Sequence, residues 1–174
     1  DIATTVGRLA PGHKLRCRAP LVHPGGGGIN AARVAARLGA DVVALYAAGG
    51  PTGDLLQALL RRERLTCERI RLSGTTRENF SVQDDSTGAE YRFVLPGPVL
   101  PAREWQECLA RCAEIAAQAR FLVASGSLPP GVPEDFYARL ASRLRRGAKV
   151  VLDSSGPALE AALAVGEDPP VAFL

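Results

Sequence analysis

Pro24-Gly25-Gly26-Gly27-Gly28-Ile29-Asn30 runs straight into Ala31-Ala32-Arg33-Val34-Ala35-Ala36-Arg37-Leu38-Gly39, and a β-rich run, Asp41 to Ala47, follows. Alanine, arginine and leucine are strong helix formers, and Gly39 is a helix stop. The four glycines therefore open a helix and a strand follows its end. Without Cβ atoms the loop backbone can approach a ligand closely, and the first-turn N–H groups offer unpaired donors to hydroxyl or phosphate oxygens. Asn30 adds a side chain able to make a bidentate contact. A glycine cluster taken alone reads equally well as a tight connector. It is neither the dinucleotide fingerprint, which needs a ribose-binding acid downstream, nor a P-loop, since no Gly-Lys-Ser/Thr closes it.

Working outward, the β-rich runs Asp41 to Ala47, Arg120 to Ala124 and Ala148 to Asp153 alternate with stretches of helical period at Asn30 to Leu38, Thr52 to Arg64, Ala102 to Gln118, Glu134 to Arg146 and Pro157 to Val165. That alternation predicts an α/β fold, a parallel sheet covered by helices. Two stretches break it: Lys14 to Val22, and the pair Arg77 to Gln83 and Glu90 to Leu95. In the first arm of that pair Arg77, Asn79, Ser81 and Gln83 share one face while Phe80 and Val82 share the other, as suits a lid or a dimer contact. Asp84-Asp85-Ser86-Thr87-Gly88 supplies turn chemistry between the arms and predicts a hairpin. The apolar run Val171 to Leu174 reads as a buried strand.

The 174 residues are 47% hydrophobic and 22% charged, enough to bury a core in a single domain. A net charge of +3, with basic residues scattered among acidic ones, supports neither a nucleic-acid nor a membrane partner. Cys17, Cys67, Cys108 and Cys112 lack CxxC spacing and a histidine cluster, so they predict buried, reduced thiols and no zinc site. No run is long enough to span a membrane, and the first residues lack signal-peptide order, which predicts a cytoplasmic protein.

Further motifs stand in order along the chain: Lys14-Leu15-Arg16-Cys17-Arg18-Ala19-Pro20 before the glycine loop, then Ala48-Gly49-Gly50-Pro51-Thr52-Gly53, Thr76-Arg77-Glu78-Asn79, Glu90-Tyr91-Arg92-Phe93-Val94-Leu95-Pro96-Gly97, Ser125-Gly126-Ser127-Leu128-Pro129-Pro130-Gly131-Val132 and Asp153-Ser154-Ser155-Gly156. Together they resemble the ribokinase-like (PfkB) carbohydrate kinase family over nearly the whole chain. The resemblance implies a three-layer α/β/α fold with a mostly parallel central sheet and a small β lid. Members acting on fructose 1-phosphate or tagatose 6-phosphate usually carry lysine at the third loop glycine, where this chain has Gly27; the sequence is more similar to the minor 6-phosphofructokinase subgroup.

By that resemblance Asp1, Gly25, Gly26, Asn30 and Ser127 hold sugar hydroxyls, and Arg77 and Arg92 grip the 6-phosphate from the lid. The chemistry suits each role: a carboxylate accepts from two hydroxyls, guanidinium forks match phosphate oxygens, and Ser127 follows a strand end, where open α/β sheets put ligands. Read without the family, both arginines are better explained by solvation or by pairing with strand neighbours such as Glu78 and Glu90; the resemblance reverses that preference. Lys14 and Arg16 are further candidates for ligand contact, although basic residues on an edge strand also deter aggregation. His13 and His23 read as loop residues, and Asp84-Asp85 as turn acids; no metal site is assigned. Asp153 and Ser154 read either as the nucleotide end of the cleft or as a helix cap before Pro157.

The family's Gly-Ala-Gly-Asp loop, whose aspartate activates the sugar hydroxyl, has no counterpart in the sequence. The expectation is that residues 1–174 form the N-terminal portion of one kinase domain, with lid segments about 9–23 and 75–96, shortened at both ends and inactive alone. The implied reaction is ATP- and Mg²⁺-dependent phosphorylation of fructose 6-phosphate, by a homodimer joined through the lid. Tagatose 6-phosphate or fructose 1-phosphate kinases, and a non-catalytic sugar-phosphate-binding or dimerising module, stand as alternatives.

Overall fold

The computed structural model describes residues 1–144 and 148–164, and the backbone of 171–173. Its elements run β1 (Ile2–Val6), β2 (Leu21–Val22), α1 (Gly27–Arg37), β3 (Ala44–Ala48), α2 (Gly50–Arg62), β4 (Cys67–Arg71), β5 (Phe80–Asp84), β6 (Glu90–Phe93), α3 (Ala102–Ala116), β7 (Phe121–Ser125), α4 (Phe136–Ala141), β8 (Lys149–Asp153), α5 (Pro157–Leu163) and β9 (Val171–Phe173). The fold is α/β, as expected. β3 pairs with β4 and β7-β8-β9 pair in that order, all in parallel. α1 packs on both β3 and β7. The larger cluster of buried apolar side chains joins Ile70, Cys108, Leu109, Phe136 and Leu140, so α3 and α4 cover one side of the strands. A second cluster joins Ile29, Tyr46, Ala48 and Leu60 beneath α1 and α2.

The lid differs from expectation. It is a four-stranded sheet in the order β2-β1-β5-β6, and its inner strand β1 was not foreseen. Ile2–Val6 lies parallel to Phe80–Asp84, residue for residue. Thr4 and Thr5 interrupt any apolar alternation there, so period gave no signal. The arm Lys14 to Val22 is mostly irregular: only Leu21–Val22 pairs as a strand, with a single bridge from Cys17 to Val6. β4 was missed because Cys67-Glu68-Arg69-Ile70-Arg71 carries three charges, yet Ile70 is buried and Arg69 is held beneath α2, donating to the Ala48 carbonyl, Asp54 and Gln57. The last part of the helix expected at Glu134 to Arg146 reaches beyond the described residues, as does the end of the one expected at Pro157 to Val165; α4 and α5 are the shorter helices observed. Among the thiols Cys108 is buried and Cys17 is exposed, against the expectation that all four are buried. No helix among the described residues is long and apolar enough to cross a membrane.

The turn acids behave as structural groups. Asp84 is 3% exposed. Its carboxylate accepts from Ser86 N–H and Oγ, at 2.8 and 2.7 Å, and from Leu9 N–H at 3.1 Å. It thus closes the hairpin and pins the arm that follows β1. Asp85 accepts from Arg18 at 2.7 Å. The Ser86 hydroxyl is the largest influence holding the Asp84 carboxyl below its ordinary value. A depressed folded value means a stabilisation fully present above the unfolded aspartate range, about 3.9, and lost as pH falls through the folded value. Thermal midpoints of the protein and of Asp84→Asn should therefore differ at pH 7 and converge on acidification below about pH 4. A gap that stays constant to pH 2 would remove this role.

Candidate functional site

Four segments meet at one end of the molecule, each brought there by a local rule of backbone geometry. The glycine loop is the first. Gly26, at φ 120°, is the N-cap of α1, a conformation open to glycine alone. A Cβ on Gly25 would lie 2.0 Å from Asp1 Oδ2, and one on Gly27 would lie 1.9 Å from Ser125 Oγ. The loop is thus wedged between the start of the lid and the end of β7, and Gly27 leaves no room for a side chain in this arrangement. Arg33, which sequence reasoning passed over, holds the loop from the helix. It donates to the Pro24 carbonyl at 2.9 Å and to Asn30 Oδ1 at 2.6 Å, and pairs with Glu63 at 2.8 Å. The i, i+3 spacing from Asn30 was the available signal. Arg33 takes one lone pair of Asn30 Oδ1 and so orients the side-chain amide, whose N–H₂ and second lone pair remain for a ligand.

Asp1 is the second segment. Its backbone is tied on both sides: its amino group donates to the His23 carbonyl, His23 N–H donates back to Asp1, and Ile2 N–H donates to Asn79. Its carboxylate is exposed at the loop. His23 contributes backbone only, and His13 is an exposed turn residue, consistent with their reading as loop residues.

The third segment follows β7. Ser125 Oγ donates to Asp153 Oδ2 at 2.8 Å, so the ends of two adjacent parallel strands are joined beside the glycine loop. Gly126, at φ 124°, turns the chain outward, and Ser127 stands exposed just beyond. Asp153 does not cap a helix, since α5 begins at Pro157 with Gly156 at its N-cap and no side-chain cap. Of the two readings offered for it, the cap is excluded.

The lid arginines form the fourth. The pairing Ile2↔Phe80 sets Asp1 level with Asn79, while Arg92 pairs with Ser81 two strands from β1. By alternation Asp1, Ala3, Asn79, Ser81 and Arg92 share one face of the lid. Strand spacing and rise then separate the Asp1 and Arg92 Cα atoms by about 12 Å, a span that an arginine side chain and a hexose phosphate can bridge. Arg92 is largely exposed and pairs with Glu90 at 3.3 Å, a weak surface contact that a phosphate could replace. Arg77 is exposed without a partner among the described residues. Its backbone is fixed by the preceding Thr76, which exchanges hydrogen bonds with Gly49 and accepts from Thr52 Oγ1. Gly49 has ordinary extended dihedrals, yet a Cβ there would lie 2.2 Å from the carbonyl oxygens of both Leu72 and Gly74. Since neither backbone can yield, Gly49→Ala should lower stability at the upper end of about 1–3 kcal/mol, seen as a fall in the urea midpoint; an unchanged midpoint would show the loop to be pliable.

Lys14 and Arg16 lie on the arm that leads into the Cys17 bridge to Val6, from which the chain returns along β1 to Ile2. Among the described residues no group of three or more His, Cys, Asp or Glu is placed to hold a metal ion.

The chain matches the model of the pfkB family carbohydrate kinases over residues 1–173. It is 48% identical over 161 residues to the ATP-dependent 6-phosphofructokinase isozyme 2 of Mycobacterium tuberculosis, covering 92% of this chain and 48% of that protein. It is 43% identical to the Escherichia coli isozyme 2, covering 95% and 54%. The crystal structure of Escherichia coli phosphofructokinase-2 in complex with fructose-6-phosphate superposes with a TM-score of 0.87 at 42% identity, over 95% of this chain and 55% of that one. The chain thus spans about half the length of the relatives it matches.

Proposed function

This chain belongs to the pfkB family of carbohydrate kinases, and on that premise we propose that the protein transfers the γ-phosphoryl of ATP to the 1-hydroxyl of fructose 6-phosphate. The observation that carries the reading is the Asp1 carboxylate lying against Gly25 on the lid face that also bears Arg92. In this reading Asp1, Gly25, Gly26, the Asn30 amide and Ser127 orient the sugar hydroxyls. Arg77 and Arg92 hold the 6-phosphate, and Arg92 exchanges Glu90 for it. Residues 1–174 form the sugar-binding part of one kinase domain, with the lid as an insert. Bound ATP with Mg²⁺ supplies the phosphoryl group.

The lid also supports the proposed homodimer. Its second face exposes Phe80 and Phe93, stacked at 4.6 Å between ring centroids, with Tyr91 and Val22 beside them, whereas Val82 on the same face is buried. The arm after β1, anchored by Leu9 on Asp84, accounts for the covered half and leaves the aromatic half for a partner lid. Light scattering at micromolar concentration is expected to give a dimer. A cytoplasmic location is part of the same reading.

The test is ADP release by the complete gene product with fructose 6-phosphate, tagatose 6-phosphate and fructose 1-phosphate. Fructose 6-phosphate should give the highest kcat/KM. Preference for either of the others would replace the substrate, and saturable sugar-phosphate binding without turnover would favour a binding module.

A further inference from the structure

The loop that carries Ser127 is fixed by a group the kinase reading does not use. Gly126 N–H donates to the Asp153 carbonyl at 2.9 Å. The Gly126 carbonyl accepts two hydroxyls at once, Tyr137 at 2.7 Å and Ser154 at 3.2 Å. At its far end the loop is anchored by Leu100 N–H on the Pro130 carbonyl at 2.8 Å. Gly126 is the residue with the freest backbone in this stretch, at φ 124°, so the orientation of the peptide linking it to Ser127 is not dictated by its own sterics. It is dictated by the two hydroxyls. In a trans peptide the N–H points opposite to the C=O; holding the carbonyl toward α4 and β8 turns the Ser127 N–H the other way, and no described group accepts it. Burial pushes the Tyr137 phenol up to about 12, so it remains a donor throughout the neutral range. Phe136, edge-on to the Tyr137 ring, and the nearby Cys112 seat that ring against the core.

We propose that Tyr137, seconded by Ser154, is a positioning residue for sugar recognition: its hydroxyl clamps the Gly126 carbonyl and thereby aims the Ser127 amide and hydroxyl at the substrate. The proposal rests on the sugar-kinase reading for its ligand, not for its geometry.

Tyr137→Phe keeps the ring and removes the clamp. In the complete enzyme it should raise KM for fructose 6-phosphate about 3- to 10-fold, the worth of one neutral hydrogen bond, with kcat and thermal midpoint nearly unchanged. Because the Ser127 hydroxyl carries part of the effect and its backbone amide the rest, the rise should shrink, without vanishing, when Tyr137→Phe is made in a Ser127→Ala background. A KM rise of equal size in both backgrounds, or no rise, overturns the proposal. A crystal structure of Tyr137→Phe combined with Ser154→Ala provides the second arm and needs no turnover: with both hydroxyls gone the Gly126 carbonyl should rotate away from its original direction, and an unmoved carbonyl overturns the proposal. Absence of activity in the unaltered enzyme would count against the substrate alone, leaving the carbonyl orientation to decide this point.

Discussion

Gly25→Ala should abolish useful sugar binding while leaving the protein folded. The new Cβ would fall 2.0 Å from Asp1 Oδ2, but what it meets is the end of a short, exposed side chain that can rotate into water. The relief of the clash is therefore cheap for stability. Its expected cost is functional, because the carboxylate leaves the place where the proposed reading has it accept sugar hydroxyls. Two charge-assisted hydrogen bonds of about 1.5–3 kcal/mol each correspond to roughly 10²- to 10⁴-fold in affinity. Titration calorimetry with fructose 6-phosphate, beside a thermal melt, separates the two effects. Unaltered affinity would mean that the carboxylate takes no part in binding.

The double change Arg77→Ala with Arg92→Ala should act on the phosphate alone. Both guanidinium groups are solvent-exposed and neither supports the core, so the fold should be indifferent to their loss. If each makes a charged hydrogen bond to the 6-phosphate, affinity for fructose 6-phosphate should fall by roughly 10²- to 10⁴-fold. Affinity for fructose itself should hardly change. Equal losses for the two ligands would remove the phosphate assignment, and a loss confined to one single variant would assign the contact to that arginine. The remaining Glu90, freed of Arg92, would repel phosphate, so Glu90→Gln in the double variant should recover part of the loss.

What the sequence made legible was the part governed by period and by backbone permissiveness. Gly25, Gly26 and Gly27 announced a close approach, the alternating runs announced parallel strands, and the polar and apolar faces of Arg77 to Gln83 reappeared as the two faces of β5. What stayed hidden depended on partners distant in the chain. β1 has two threonines at its centre and is a strand because β5 and the returning arm pair with it on either side. β4 looked too charged, since nothing local reveals that Arg69 is neutralised by Asp54 beneath α2. Tyr137 could not be distinguished from a core aromatic, because its role lies in one carbonyl eleven residues back.

Asp1 both leads directly into the inner lid strand β1 and rests its carboxylate on the glycine loop. With Asp1 in its proposed role, tilting the lid would drag the hydroxyl-gripping group along, making the grasp of the sugar and the shutting of the cover one mechanical coordinate. On that proposal, any agent that props the cover ajar, even from its distant tip, should weaken the grip without touching a single binding residue.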